Sequence, residues 1–347
     1  MWRATMIMWV VSVLTLTACG GDTGPGEEPI GGFDNSASVA PSTVGADTTI
    51  TSTTEPAQGT DSGEGGSTPL VALPVGRLVF DSDRADDLDL YLLEIGSTEP
   101  VRLTTEEGSD RVGRLTPDGT AVLFATDRGR GPDSPTGLRS YDLYRLELDT
   151  GEQTHLLGSR TYNSSPTLSP DGSTLAFNSD ASGASHIYLA GPDASSPQQV
   201  TDENAANSGP DWSPDGTQII YSTYVDDNRD IWIMNADGSD RRPLIEGPAN
   251  ELSGAWSPDG AQIAFHSDRE GSRDIFLFDV ASGEITQLTS GPADDGYPTW
   301  SPDGRYIAFD SDRDGDEPDI YMLTLEDGSV ARLTDDPARD AFPDWGE

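Results

Sequence analysis

No lysine occurs anywhere in the 347-residue chain, and its 20 basic residues, all arginine, stand against 61 Asp and Glu, giving a formal net charge of -41. A surface of that sign makes nucleic acid and anionic lipid headgroups poor partners. The all-arginine habit carries no functional reading by itself. Cysteine occurs once, at Cys19, so neither an internal disulfide framework nor a cysteine metal cluster can form. Histidine occurs only at His155, His186 and His266, and no Gly-x-Ser-x-Gly elbow is present. Apolar residues make up 34% of the chain beside 38 Gly and 25 Pro, a balance that predicts a shallow, sheet-like core with frequent turns and no long helices.

The first residues have the form of an address. Arg3 is followed by an apolar run from Met6 to Leu16, shorter than the roughly 20 residues a membrane-spanning helix needs. The segment Leu16-Thr17-Ala18-Cys19 resembles the bacterial lipobox, which implies a lipoprotein signal peptide over 1–18 and a lipidated Cys19 at the mature N-terminus. An acyl anchor of two or more chains holds stably, each buried methylene contributing about 0.8 kcal/mol. The expected location is therefore extracytoplasmic, on the outer leaflet of the cell membrane, or on the outer membrane if the envelope has one. Residues 19–74 are rich in Gly, Ser, Thr, Pro and acids without apolar period, and predict a disordered tether. As a flexible coil of about fifty residues it would reach about 40 Å.

Beyond Pro74 the chain repeats. A Thr-Pro-Asp-Gly turn starts at Thr116, and Ser-Pro-Asp-Gly turns start at Ser169, Ser213, Ser257 and Ser301. Their aspartates, Asp118, Asp171, Asp215, Asp259 and Asp303, are spaced by 53, 44, 44 and 44 residues. A period in this range marks a propeller blade or another repeat array. Each period holds four short segments. One ends in Leu115, Leu168, Trp212, Trp256 or Trp300 just before the turn. The next contains Leu78-Val79-Phe80 or its five equivalents, and a third reads DLYLLE from Asp89, DIFLFD from Asp274 or DIYMLT from Asp319. The last ends in forms such as VRLT from Val101 and ARLT from Ala331.

Four strands per period with turn chemistry between them predict an all-β fold, a single six-bladed β-propeller over 75–347. Six periods of 44 and a nine-residue insertion account for the 273 residues of that span. The chain enters at a second-type strand and finishes with an unpaired innermost-type strand, Phe342-Pro343-Asp344-Trp345. That strand is expected to complete blade one and close the ring, removing open sheet edges.

A strand ending in Trp, an SPDG turn and then IAFHSDREGSRDIFLFD closely resemble the WD-like repeats of the TolB propeller family, and the likeness covers essentially all of 75–347. For TolB itself the family implies a soluble periplasmic protein with an N-terminal α/β domain, whose propeller binds a peptidoglycan-associated lipoprotein. This sequence has no room for that domain and has its own lipid signal, so a propeller lipoprotein related to TolB is expected rather than TolB. The resemblance specifies fold more than function.

Counting five residues back from each innermost-strand Trp or Leu gives Asp110, Asn163, Asn207, Glu251, Asp295 and Asp340. The register places these six near the channel mouth, where converging carboxylates would attract cations or basic peptides; equally, each would cap its own loop through backbone amides. The blade-two insertion within Arg128–Ser140 adds Arg128, Arg130 and Arg139 to the same face, as partner contacts or as mates for neighbouring acids. Residues Asp310, Asp312, Asp314 and Asp316 resemble the opening of a calcium loop, but the ninth and twelfth positions are Pro318 and Tyr321, and a polar hairpin turn is the alternative. The residues after the second-strand aromatic are Asp81, Ala125, Asn178, Ser222, His266 and Asp310. They are expected about 10 Å or more apart, as independent surface positions.

No catalytic residue, metal or cofactor is expected beyond that calcium candidate. The sequence predicts a non-enzymatic, monomeric binding propeller that recognises an envelope protein, peptide or polymer, basic if the acidic face is used. The alternative is a channel-mouth enzyme or a carbohydrate-binding or carbohydrate-processing propeller.

Overall fold

A computed structural model describes residues 74–347, except 86, 129–136, 138, 159, 202–204 and 226. The expected signal peptide, Cys19, the tether as far as residue 73, and Arg130 lie outside the described residues. The described chain forms six antiparallel sheets of four strands each, one per predicted blade. Blade one pairs Asp340–Gly346, from the C-terminus, with Arg77–Ala85, setting Trp345 opposite Leu78. Arg77 adds hydrogen bonds to the Glu347 carbonyl at 2.6 Å and 2.8 Å. The ring therefore closes through its two ends, as the sequence predicts. The other innermost strands are Asp110–Leu115, Asn163–Leu168, Ala206–Trp212, Glu251–Trp256 and Asp295–Trp300.

The core lies between blades, because each sheet is apolar on both faces along its middle strands. Phe80, Phe124, Phe177, Phe265 and Phe309, all on second strands, are fully buried. One cluster joins Ile220, Ile231 and Ile233 of blade four to Trp256, Phe265 and Phe276 of blade five. Another joins Phe80, Tyr91 and Trp345 of blade one to Tyr306 and Ile320 of blade six. Removing one such ring would cost about 3–5 kcal/mol.

The recurring turns work by side-chain capping. In each, the Ser or Thr hydroxyl donates to the Asp two residues on, at 2.6 to 2.7 Å. The same Asp oxygen accepts the backbone N–H two residues further, and the Gly between takes φ of 65 to 71°, which only glycine adopts freely. These hydrogen bonds hold the Asp118 and Asp171 carboxyls down at about 2.

Candidate functional site

The six positions expected at the mouth recur at one place in every blade, and the structure turns them inward. Asp110, Asn163, Asn207, Glu251, Asp295 and Asp340 are all at most 1% exposed. In four blades an arginine at the end of the second strand or just beyond it reaches across to the acid. Arg84 binds Asp340 at 2.6 Å, Arg128 binds Asp110 at 2.6 Å, Arg269 binds Glu251 at 2.7 Å and Arg313 binds Asp295 at 2.8 Å. Each guanidinium also lies over two rings of its own blade, as Arg313 does over Phe309 at 5.0 Å and Tyr321 at 4.9 Å. Blades three and four carry Ala181 and Val225 where the others carry arginine, and there the inner residue is Asn. Asn163 donates to the Tyr141 carbonyl and Asn207 to the Thr223 hydroxyl. Charge at the inner position thus appears only where a clamp arginine faces it. The acids serve the blades, and other residues set the charge of the mouth.

Two residues beyond each of these positions the innermost strand bulges. Val112, Ser165, Gly209, Ser253, Tyr297 and Phe342 all take positive φ, between 49 and 59°, and the pairing with the second strand shifts register there. The bulge frees one backbone N–H per blade. In three blades it is taken by the polar residue that follows the second-strand aromatic of the preceding blade. Asp81 accepts from Val112 at 2.9 Å, His266 from Tyr297 at 3.3 Å and Asp310 from Phe342 at 3.1 Å. These positions were expected on the surface, and that expectation is corrected. Asp81 is 0%, His266 2% and Asp310 7% exposed, because they fill the seams between blades. A methyl group on Gly296 would lie 2.9 Å from Asp310 and 3.9 Å from His266, so both close on one glycine and sit nearer each other than expected.

Burial sets the protonation of this seam. It pushes the Asp81 carboxyl up to about 7, with Arg339 and Arg111 pulling the other way. It raises Asp310 as well. His266 is pushed down to about 3 by burial and by the charges of Arg273 and Arg229, so its ring is neutral, with Nδ1 as the acceptor.

Four arginines therefore act on this seam. Arg339 and Arg111 act on Asp81, Arg273 and Arg229 act on His266, and Arg273, Arg339 and Arg111 all act on the Tyr297 hydroxyl, which burial raises to about 12. Arg273 pairs with Asp294 at 3.2 Å. Arg111, Arg229 and Arg339 have no carboxylate partner among the described residues, and each keeps a buried N–H without an acceptor, at Nε, Nε and Nη1. Rings line the spaces between them. Tyr297 lies 5.3 Å from His266 and 4.0 Å from Phe342, Arg339 lies 5.1 Å over Phe342, and Arg111 reaches the Tyr141 hydroxyl at 3.4 Å. Tyr297, Phe342 and the four arginines stay partly exposed. Deeper along the innermost strands, Arg114 of blade two binds Asp344 of blade one at 2.8 Å and feels the charge of Asp211 of blade four. Blades two and four face each other only across the axis, so this cluster spans the channel below the mouth.

The remaining candidates do not converge. Arg128 is a clamp, bonded also to Gln153 and, at 3.3 Å, to Glu106; Arg139 pairs with Asp127. Asp310 lies in the seam, Asp312 accepts the Asp294 N–H, Asp314 accepts the Tyr321 hydroxyl and Asp316 is exposed. Among the described residues no group of three or more His, Cys, Asp or Glu is placed to hold a metal ion. The three histidines belong to separate blades, His155 bonding Asp142 and His186 bonding Asn207.

Comparison with known proteins supports the architecture. The family model described as the TolB beta propeller domain matches residues 134–284 and 209–346. TolB from Acinetobacter baumannii superposes with a TM-score of 0.67 at 18% identity, over 78% of this chain and 66% of that one. A structure assigned as TolB from Agrobacterium tumefaciens gives a TM-score of 0.61 at 20% identity, over 80% of this chain and 99% of that one. An uncharacterized protein of Agrobacterium fabrum is 32% identical over 133 residues, which span 37% of this chain and 41% of that relative. With repeats, ring closure and family match in agreement, the chain belongs to the TolB β-propeller domain family.

Proposed function

We propose that this chain is a lipid-anchored extracytoplasmic protein whose propeller is a non-catalytic scaffold, binding a protein or peptide at the channel mouth. The observation that carries the reading is the mouth itself. In a chain with 61 acids and 20 arginines, three arginines that have no carboxylate partner among the described residues lie around the partly exposed Tyr297 and Phe342 rings at one end of the axis. Arginine and aromatic side chains are the residues on which binding energy concentrates. The lipobox-like Cys19 and the Gly-, Ser-, Thr- and Pro-rich composition of the residues after it support display outside the membrane. Pull-down with the lipidated chain tests the reading. Partners are expected from the parent and not from a variant combining Arg111→Gln and Arg339→Gln; equal recovery from both would count against the mouth.

One observation favours the rival reading of an acid–base enzyme acting on glycans or esters. The Asp81 carboxyl at about 7 is matched to proton transfer at neutral pH. A turnover screen on those substrate classes separates the two readings. The scaffold predicts none, whereas activity abolished by Asp81→Asn would establish the enzyme.

A further inference from the structure

Three arginines in a chain this acidic keep donors that no acceptor among the described residues uses, and that pattern asks what their acceptor is. Buried N–H groups without partners are rare in folded proteins and mark places where a group outside the chain completes the hydrogen bonding. Among the described residues such donors include Trp212 Nε1 and Trp256 Nε1 and, on arginines, Arg111 Nε and Arg229 Nε of blades two and four and Arg339 Nη1, just before the strand that closes blade one. One inner carboxyl, Asp81, feels the charge of both Arg111 and Arg339. Asp81 is fully buried, and its Oδ2 has no hydrogen-bond partner either. Among the described residues Asp81 forms no ion pair with Arg111 or Arg339, although their charges act on it. The cluster of Arg114, Asp344 and Asp211 lies deeper in the channel and limits how far a ligand could descend.

We propose that the mouth binds a peptide carboxylate, with Arg111 and Arg339 as its principal donors and the Tyr297–Phe342 pair taking the adjacent apolar side chain. This rests on the binding reading above and names its chemistry. A guanidinium offers a planar fork that matches a carboxylate, and hydrogen bonds between charged partners are the strong ones. The global charge of -41 selects the size of the anion. A polyanion meets repulsion from the whole surface, whereas one carboxylate inside the mouth feels mainly the guanidiniums beside it, since exposed charges beyond about 8 Å are screened at physiological salt. A partner that is basic elsewhere gains twice, its cations facing acids on the same face such as Glu106, Glu107, Asp335 and Asp336 while its carboxylate enters the channel.

The probes are two N-acetylated peptides of sequence Lys-Lys-Gly-Gly-Phe, one ending in a free carboxylate and one in a carboxamide, titrated calorimetrically into the full chain. The free acid is expected to bind at least about tenfold tighter, the size of one charge-assisted hydrogen bond of about 1.5–3 kcal/mol. Arg111→Gln with Arg339→Gln should bring the two peptides to equal affinity, while Arg242→Gln, whose exposed side chain pairs with Asp240, should leave the preference intact. A carboxamide peptide ending in Glu separates a side-chain carboxylate from a terminal one, and recovery of tight binding there assigns the source to the side chain. Equal binding of acid and amide to the parent, binding of neither, or a preference that survives the double substitution would overturn the carboxylate assignment. Loss of partner recovery on the same double variant, with acid and amide equal, would leave the mouth as binding surface and remove only its carboxylate chemistry.

Discussion

Arg313→Ala should destabilise the propeller far more than the pair Arg313→Ala with Asp295→Asn, although the pair removes more native groups. Asp295 is 1% exposed and Arg313 holds both of its oxygens, at 2.8 and 2.9 Å. Removing the arginine strands a buried carboxylate, which costs about 3–5 kcal/mol. The lost contacts with Phe309 and Tyr321 add about 0.5–1 kcal/mol each. Changing Asp295 to Asn removes the stranded charge and reproduces the pattern of blade three, where Asn163 faces Ala181. The pair should then cost only about 1–2 kcal/mol, chiefly the lost stacking. With about 3 °C per kcal/mol in a domain near this size, the single variant should melt roughly 12–21 °C below the parent and the pair roughly 3–6 °C below. Differential scanning calorimetry at neutral pH reads both, and the coupling follows from the double-mutant cycle. A pair as damaged as the single variant would refute the clamp, and so would an Asn163→Asp variant as stable as the parent.

Three further outcomes follow from the same structure. Asp81 has its carboxyl at about 7 in the fold against 3.8 when free, so its stabilising contribution is complete below pH 3.8 and is lost as pH rises through 7. Asp81→Asn, the residue blade three has as Asn178, should therefore match the parent in urea denaturation near pH 3 and exceed it at pH 8, by at most about 4 kcal/mol at 1.36 kcal/mol per unit; an unchanged difference across that range would contradict the burial argument. His266 has the opposite sign, lying at about 3 against 6.5, so its contribution is complete above pH 6.5 and is lost as pH falls towards 3, and His266→Gln should flatten that acid limb. Truncation before Asp340 should leave Arg77–Ala85 as an open edge and give a protein without a cooperative thermal transition, since the closing strand and Trp345 are gone.

The blades, their number and the closing strand were legible because they depend on features every period repeats, a turn that needs Asp and Gly and an aromatic that must fill a seam. The mouth was not legible, for two physical reasons. The bulge at Val112, Tyr297 and their equivalents interrupts the alternation that predicts which side chain faces the axis, so positions placed near the mouth by counting, such as Asp295 and Asp340, point into their own blades. The arginines that do reach the mouth occupy positions without recurrence. Arg111 corresponds to Ser164, Ser208, Leu252, Gly296 and Ala341, so comparing periods hides it. The clamps did leave a signal in the sequence, in the Ser/Thr-Asp-Arg runs ending at Arg84, Arg128, Arg269 and Arg313, present only where the innermost strand carries an acid.

Placing the photoreactive amino acid benzoylphenylalanine at single positions of the full chain in its native cells addresses the binding surface most directly. Position 342, at the mouth, should yield a discrete adduct under illumination that free acid peptide suppresses, while position 217, exposed in a Ser-Pro-Asp-Gly turn on the opposite face, should yield none. Adducts from position 217 with none from position 342 would place binding on the other face and contradict the reading of the mouth.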